Sequence, residues 1–374
     1  MAFNEKYVTV TGGGLHDGSS DANAWTLDEA YANYTAGDRV NIKAGVYAIT
    51  QAMNAWTNGT SQSAPISLRG YKTTIGDMDE KPTSQIASGT DIPELQITNT
   101  SYYIQFNIQL YCSIENITFK ATVDRPAVYT GGIANIYKRC RFISTVRTAA
   151  GNPVIDTVER NQQFIDCYFQ GSGSGNQRIR DSSYIFIGCV FEDFNSIDCE
   201  QFNVRFSDCV FKNFTGNAII FKGTQNGLIP IDGCTFYNIS GDAISVTISG
   251  SPSYSYFTIR NNVFHTIGGD ALKNFSTSEH QLVSDNNLFY NVTGSNFANN
   301  GFSMSRNELV DASDPFTDAA GGDYSLVSGS NGYNAAQPSL FEGLSIGSNR
   351  DCGAIQHQDP SGGGGATVHP LRSN

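Results

Sequence analysis

Ile187-Gly-Cys-Val-Phe191, Ser207-Asp-Cys-Val-Phe211 and Asp232-Gly-Cys-Thr-Phe236 are one phrase written three times. Each sets a small polar corner and a cysteine two residues ahead of a phenylalanine. Upstream the phrase appears as Glu115-Asn-Ile-Thr-Phe119, Lys138-Arg-Cys-Arg-Phe142 and Ile165-Asp-Cys-Tyr-Phe169. Downstream it becomes Asn261-Asn-Val-Phe264, Asn286-Asn-Leu-Phe289 and Arg306-Asn-Glu-Leu309. The slot two before the last position falls at 117, 140, 167, 189, 209, 234, 262, 287 and 307, a mean spacing of about 24. A second phrase follows at a steady offset, as Gly216-Asn-Ala-Ile219, Gly241-Asp-Ala-Ile244 and Gly269-Asp-Ala-Leu272.

A unit of this length, with three short apolar runs and three turns, is one coil of a parallel β-helix. A propeller blade needs roughly 40 residues, and a leucine-rich repeat would carry Leu in place of this Phe. Stacked coils put like over like. Phe142, Phe169, Phe191, Phe211, Phe236, Phe264 and Phe289 are therefore expected in an interior aromatic column. Cys140, Cys167, Cys189, Cys209 and Cys234 form a second column, which Asn262, Asn287 and Asn307 continue with amides able to bond along the axis. Stacked side chains point in parallel, and no C-x-x-C occurs, so these cysteines read as reduced, buried thiols.

The composition agrees. The chain has 38 Gly, 18 Tyr and 23 Phe among 374 residues, which suits strands and turns. One helix is expected between Asn23 and Tyr34, where Thr26 and Glu29 fit a capping box and Gly37 offers a stop. A net charge of −12 argues against a nucleic-acid partner, because binding phosphates needs a basic face. No apolar run is long enough to cross a membrane, and no signal peptide is read at the N-terminus.

Three runs carry a family resemblance: Asp17-Gly-Ser-Ser20, Trp25-Thr-Leu-Asp-Glu-Ala30 and Ala36-Gly-Asp-Arg-Val-Asn-Ile-Lys-Ala-Gly-Val-Tyr47. Together they resemble the capping helix and first coil of the right-handed parallel β-helix proteins of the pectate-lyase-like superfamily. Asn349-Arg-Asp-Cys-Gly-Ala-Ile-Gln356 resembles their closing segment. The resemblance implies an all-β fold, a right-handed parallel β-helix with a short N-terminal capping helix and a C-terminal extended tail. The expected division is 1–50 for the cap and first coil, 51–357 for the β-helix, and 358–374 for a Gly-rich linker and docking tail. Within the superfamily, the chain looks most like phage-borne virion proteins.

The chemistry-bearing residues are sparse. By resemblance, lyases of this fold use a Lys or Arg base beside calcium-binding carboxylates, and the nearest group carries runs like Ile-Ser-Asn-Lys-Ser and Arg-His-Gly, absent here. Lys273, followed by Glu279 and His280, is a partial echo. Glycoside hydrolases need two carboxyl groups, about 5–5.5 Å apart for retention or about 6.5–9.5 Å for inversion. Asp242 and Asp270 share the Gly-Asp-Ala slot of successive coils, so they are the candidate catalytic pair and the candidate calcium ligands. Asn217 in the preceding coil gives the slot a plainer reading, a turn that wants an Asx side chain. Asp198 and Glu200 share a strand face, expected towards solvent. The five histidines are dispersed. Tyr102, Tyr103, Tyr254 and Tyr256 are candidate glycan contacts, although strand aromatics usually pack.

Val368, His369, Pro370, Leu371 and Arg372, beyond a Gly linker, are the expected docking residues. Together these features favour a non-enzymatic bacteriophage virion protein on the particle surface. It would be a capsid decoration protein or tail-associated fibre component, needing no cofactor and open to binding a surface polysaccharide. Its partners would be capsid or tail proteins and copies of itself, in a trimer by resemblance. It would be made in the host cytoplasm and assembled into the virion. The alternative is a polysaccharide lyase or glycoside hydrolase, with calcium as its candidate cofactor.

Overall fold

The computed structural model describes residues 3–53, 66–79, 87–110, 112–133, 135–144, 146, 154–157, 161–179, 183–201, 203–224, 227–248, 255–274, 281–298, 302–336 and 350–356. It comprises two compact units, Met1–Tyr184 and Ile185–Asn374.

The first unit opens with strand Asn4–Val8, which pairs in parallel with Asp38–Lys43. Helix Leu27–Asn33 lies between them. Its capping box is formed: Thr26 donates its N–H to Glu29 Oε2 (2.7 Å), and Glu29 donates its N–H to Thr26 Oγ1 (3.2 Å). The helix stops at Tyr34, whose backbone is already extended, so Gly37 lies beyond the cap rather than closing it. Successive coils then stack in register. Phe119 pairs with Phe142 and Phe142 with Phe169, their rings stacked at 5.4 and 5.1 Å. Tyr137 and Phe164, on a neighbouring face, stack at 4.9 Å and meet the first file edge-on. Among the described residues every strand pairing of this unit is parallel.

The second unit repeats the pattern on three faces. One face runs Val204–Ser207, Gly227–Asp232, Ser255–Arg260, Gln281–Asp285 and Phe302–Arg306. A second runs Val190–Glu192, Val210–Phe214, Thr235–Ile239, Val263–Ile267, Leu288–Val292 and Leu309–Val310. A third runs Ser196–Gln201, Ile219–Thr224, Ile244–Val246, Leu272–Asn274 and Phe297–Ala298. Phe191, Phe211, Phe236, Phe264 and Phe289 stack at 4.7–5.2 Å, as the repeat requires.

The first two faces meet at a sharp corner. Asp208, Gly233, Asn261, Asn286 and Asn307 hold φ between +52° and +65° there, a region that Gly and Asx side chains occupy at least cost. The next residue faces inward. Cys189, Cys209 and Cys234 fill that file, with each backbone carbonyl accepting from the coil after it. All eight cysteines are free and buried. Burial pushes the Cys112 thiol up to about 12, which leaves it a packing group rather than a nucleophile.

Asn262 and Asn287 continue the cysteine file as expected. Cys234 N–H donates to Asn262 Oδ1 (2.8 Å), and Asn262 N–H donates to Asn287 Oδ1 (3.0 Å). Asn307 does not continue it. Leu288 pairs with Leu309, and Asn307 takes the left-handed corner, so Glu308 fills the inward slot. Asn287 N–H donates to Glu308 Oε2 (2.9 Å). Burial pushes the Glu308 carboxyl above its usual range, against the donors Ser284 and Asn287.

After Val310 the chain leaves the coil. Phe316–Asp318 and Asp323–Leu326 form an antiparallel pair. Phe316, Tyr324 and Leu326 join Ala336, Cys352 and Ala354 against Val210, Val263 and Leu288. Residues 350–356 therefore return along the outside of the second face. Gly353 N–H donates to Asn261 O (2.7 Å), and Ala354 N–H donates to Thr235 Oγ1 (3.0 Å). Gly353 has φ +92°, and a Cβ there would lie 2.9 Å from Thr235 Oγ1. The segment is pinned by Arg350, which pairs with Asp208, both side chains under 5% exposed.

Candidate functional site

The repeated Gly-Asp-Ala slot brings the three candidate catalytic residues together. Lys273 Nζ lies 3.2 Å from Asp242 Oδ2 and 3.2 Å from Asp270 Oδ2. The carboxylates also serve the coil. Asp242 N–H donates to Asn217 Oδ1 (2.8 Å), Asp270 N–H to Asp242 Oδ1 (2.9 Å), and Ser295 N–H to Asp270 Oδ1 (2.9 Å). Burial works against the Lys273 ammonium, but the two carboxylates outweigh it and hold its pKa above the usual lysine value. A general base at neutral pH needs the opposite shift. Each aspartate has one oxygen on a backbone N–H and the other on the ammonium. This is the arrangement of a structural Asx ladder closed by a lysine. Among the described residues no group of three or more His, Cys, Asp or Glu is placed to hold a metal ion.

Asp198 departs from expectation. It is 1% exposed rather than solvent-facing, and pairs with Lys222 Nζ (2.7 Å) while accepting from Ser196 Oγ (2.7 Å). Tyr103 packs edge-on against Tyr129 at 5.6 Å, so that candidate contact is packing. Tyr254, Glu279, His280 and the docking residues Val368, His369, Pro370, Leu371 and Arg372 lie outside the described residues. His265 sits in the file Tyr237–His265–Tyr290, 3.0 Å from Asp314 Oδ1. Burial lowers its pKa despite that carboxylate, so the imidazole is neutral at pH 7.

A groove that the sequence reading missed lies on the outer side of the first face of the second unit. It encloses about 370 Å³ and is floored by Leu228, Pro230, Thr258 and Val283. Register places Ser207, Asp232, Arg260, Asp285 and Arg306 in one file, one per coil. Two of these corners are built alike. Asp232 accepts from Arg260 (3.1 Å) and Asn261 Nδ2 (2.9 Å); Asp285 accepts from Arg306 Nε (2.9 Å) and Asn307 Nδ2 (3.1 Å). The aspartates are sunk, at 13% and 5% side-chain exposure, while Arg260 and Arg306 stand out at 42% and 56%. Arg205 is exposed beside Ser207 and makes no ion pair among the described residues. Tyr256 and Leu228, paired across adjacent strands, are exposed on the same outward face. An apolar floor, one exposed tyrosine and outward guanidinium groups can hold a polar ligand with flat apolar faces. The signal was present in the residue just before each corner, which runs Ser, Asp, Arg, Asp, Arg.

A family model described as a right-handed β-helix region matches residues 154–312, somewhat under half of the chain. Among solved structures, the pectate lyase Pel9A is similar over 96% of this chain and 98% of that one, at 14% identity and a TM-score of 0.56. A PL6 family polysaccharide lyase from Pseudopedobacter saltans aligns with 79% of this chain and 92% of its own, at 11% identity and a TM-score of 0.42. A pectin methylesterase from carrot aligns with 84% and 89%, at 14% identity and a TM-score of 0.37. No curated protein matches the chain. The likeness is one of fold: the chain is an all-β, right-handed parallel β-helix.

Proposed function

We propose that this chain is a non-catalytic, glycan-binding β-helix displayed on a bacteriophage particle. The binding half of the reading is carried by the groove. Its apolar floor beside Tyr256 suits the flat face of a sugar, and its outward arginines suit hydroxyl and acidic substituents. The non-catalytic half is supported by the Asp242–Asp270–Lys273 cluster, whose two carboxylates share one ammonium and whose oxygens are committed to neighbouring coils. Placement on a particle rests on the phage-type resemblance and on the tail, with Val368 to Arg372 as the docking peptide and a homotrimer as the assembly.

The same cluster favours one alternative, a polysaccharide lyase or glycoside hydrolase, because three candidate residues do converge. A panel of neutral and acidic polysaccharides separates the two. The expected result is retention on one or more glycans without unsaturated products by ultraviolet absorbance and without new reducing ends. Product release above a blank, abolished by Asp242→Asn or Lys273→Ala, would overturn the non-catalytic reading.

Deleting residues 358–374 tests the placement. The truncated protein is expected to keep its unfolding midpoint and to be lost from purified particles. Incorporation at the full-length copy number would remove the tail from the account.

A further inference from the structure

We infer that the groove reads an acidic polysaccharide whose carboxylates recur on every second sugar; this rests on the glycan-binding reading above. The outward file just before each corner runs Ser207, Asp232, Arg260, Asp285, Arg306, and Arg205 stands two residues before Ser207 on the same side of its strand. From Asp232 onward the sign alternates at each coil. Arg260 and Arg306 therefore stand two coils apart, an advance of about 10 Å at the spacing of stacked strands. That is the scale on which alternate residues of an extended polysaccharide repeat. Counting Arg350 and Asp208, the groove holds four arginines and three aspartates, a surplus of one positive charge in a chain of net charge −12.

The geometry sharpens the preference. Asp285 holds Arg306 through Nε, and among the described residues the two terminal nitrogens of Arg306 have no partner. A planar fork of this kind takes a carboxylate in two parallel hydrogen bonds. A sugar opposite Asp232 or Asp285 meets a sunken carboxylate already paired with an arginine, and so finds no guanidinium for an acid at that step. A polymer with an acid on every residue would leave half its charges without a guanidinium partner. One with an acid on alternate residues would match the file, and a neutral polymer would leave the arginines unused.

The test is calorimetric titration of the full chain with three size-matched oligosaccharides: hyaluronan fragments for alternating acids, polygalacturonate for an acid on each residue, and dextran as the neutral case. Hyaluronan fragments are expected to bind at least about tenfold tighter than either of the others. Arg205→Gln and Arg306→Gln should each weaken that binding about tenfold, the scale of one lost charge-assisted contact. Arg205 makes no ion pair, so its variant leaves the corner intact. Polygalacturonate binding as tightly as hyaluronan would overturn the spacing. Dextran binding equally, with both variants unaffected, would overturn the role of charge and leave glycan binding standing. Binding to none of the three, and to nothing in the wider panel, would instead sink the underlying reading.

Discussion

Phe236→Ala is expected to destabilise the second unit by about 3–5 kcal/mol. Phe236 is fully buried and sits between Phe211 at 4.7 Å and Phe264 at 4.9 Å, near the middle of its file. Truncation removes the transfer free energy of the ring and leaves a cavity walled by two other rings. Stacked coils cannot collapse sideways to fill it, because each backbone is held to the coils before and after it. Both aromatic contacts are lost as well, each worth roughly 0.5–1.5 kcal/mol beyond its area. In a stack of nearest neighbours the damage falls on two interfaces at once. Urea unfolding followed by near-ultraviolet circular dichroism measures the change. A loss below about 1.5 kcal/mol would mean the column is not the main support of the unit. Phe289→Ala, nearer the end of the file, should cost less.

The second large effect is at Arg350. Its guanidinium and the Asp208 carboxylate are paired with almost no exposure. Removing one partner strands a charge in a poorly solvated place, which costs about 3–5 kcal/mol, whereas replacing both with uncharged groups costs much less. Arg350→Ala should therefore lower the unfolding midpoint strongly, and Asp208→Asn with Arg350→Met should recover most of the loss. Asn suits position 208, whose φ of +55° is one that Asx side chains tolerate. Limited proteolysis gives a local readout. Cleavage within 311–356 should precede loss of the coils in Arg350→Ala. Equal stability of the single and double variants would show that the pair does not pin the returning segment.

The periodic part of the fold was legible because a coil cannot bury its apolar face alone, so the same slot must be apolar in every coil. Phe191 to Phe289 and Cys189 to Cys234 fall where the spacing puts them. Asn307 leaves the expected file for a physical reason. Asn serves equally well at the left-handed corner and in the inward amide slot, so the doublets Asn261-Asn262 and Asn286-Asn287 fill both. In the last coil Asn307 takes the corner and Glu308 the slot, and sequence alone does not rank them. The returning segment carries no repeat, so its docking site was invisible. Alignment of Asp242 and Asp270 follows from the repeated phrase, but their bridging depends on where one lysine side chain reaches. The groove was missed because its charges stand 21 to 28 residues apart and acquire order only through register.

The two side-chain ladders run in opposite senses. At the inward corner, Cys234 and Asn262 donate forward to the coil that follows. At the Asx turn, Asp242 and Asp270 donate backward to the coil that precedes. A coil is thus matched to its predecessor on one edge and to its successor on another. A gene can gain or lose such a length cleanly when the cut falls at equivalent points of two coils, since donors and acceptors then rejoin. An excision of any other length leaves both rails broken at the seam. The coil is therefore the natural quantum of inheritance for this chain, and variation in its length among descendants should come in whole turns.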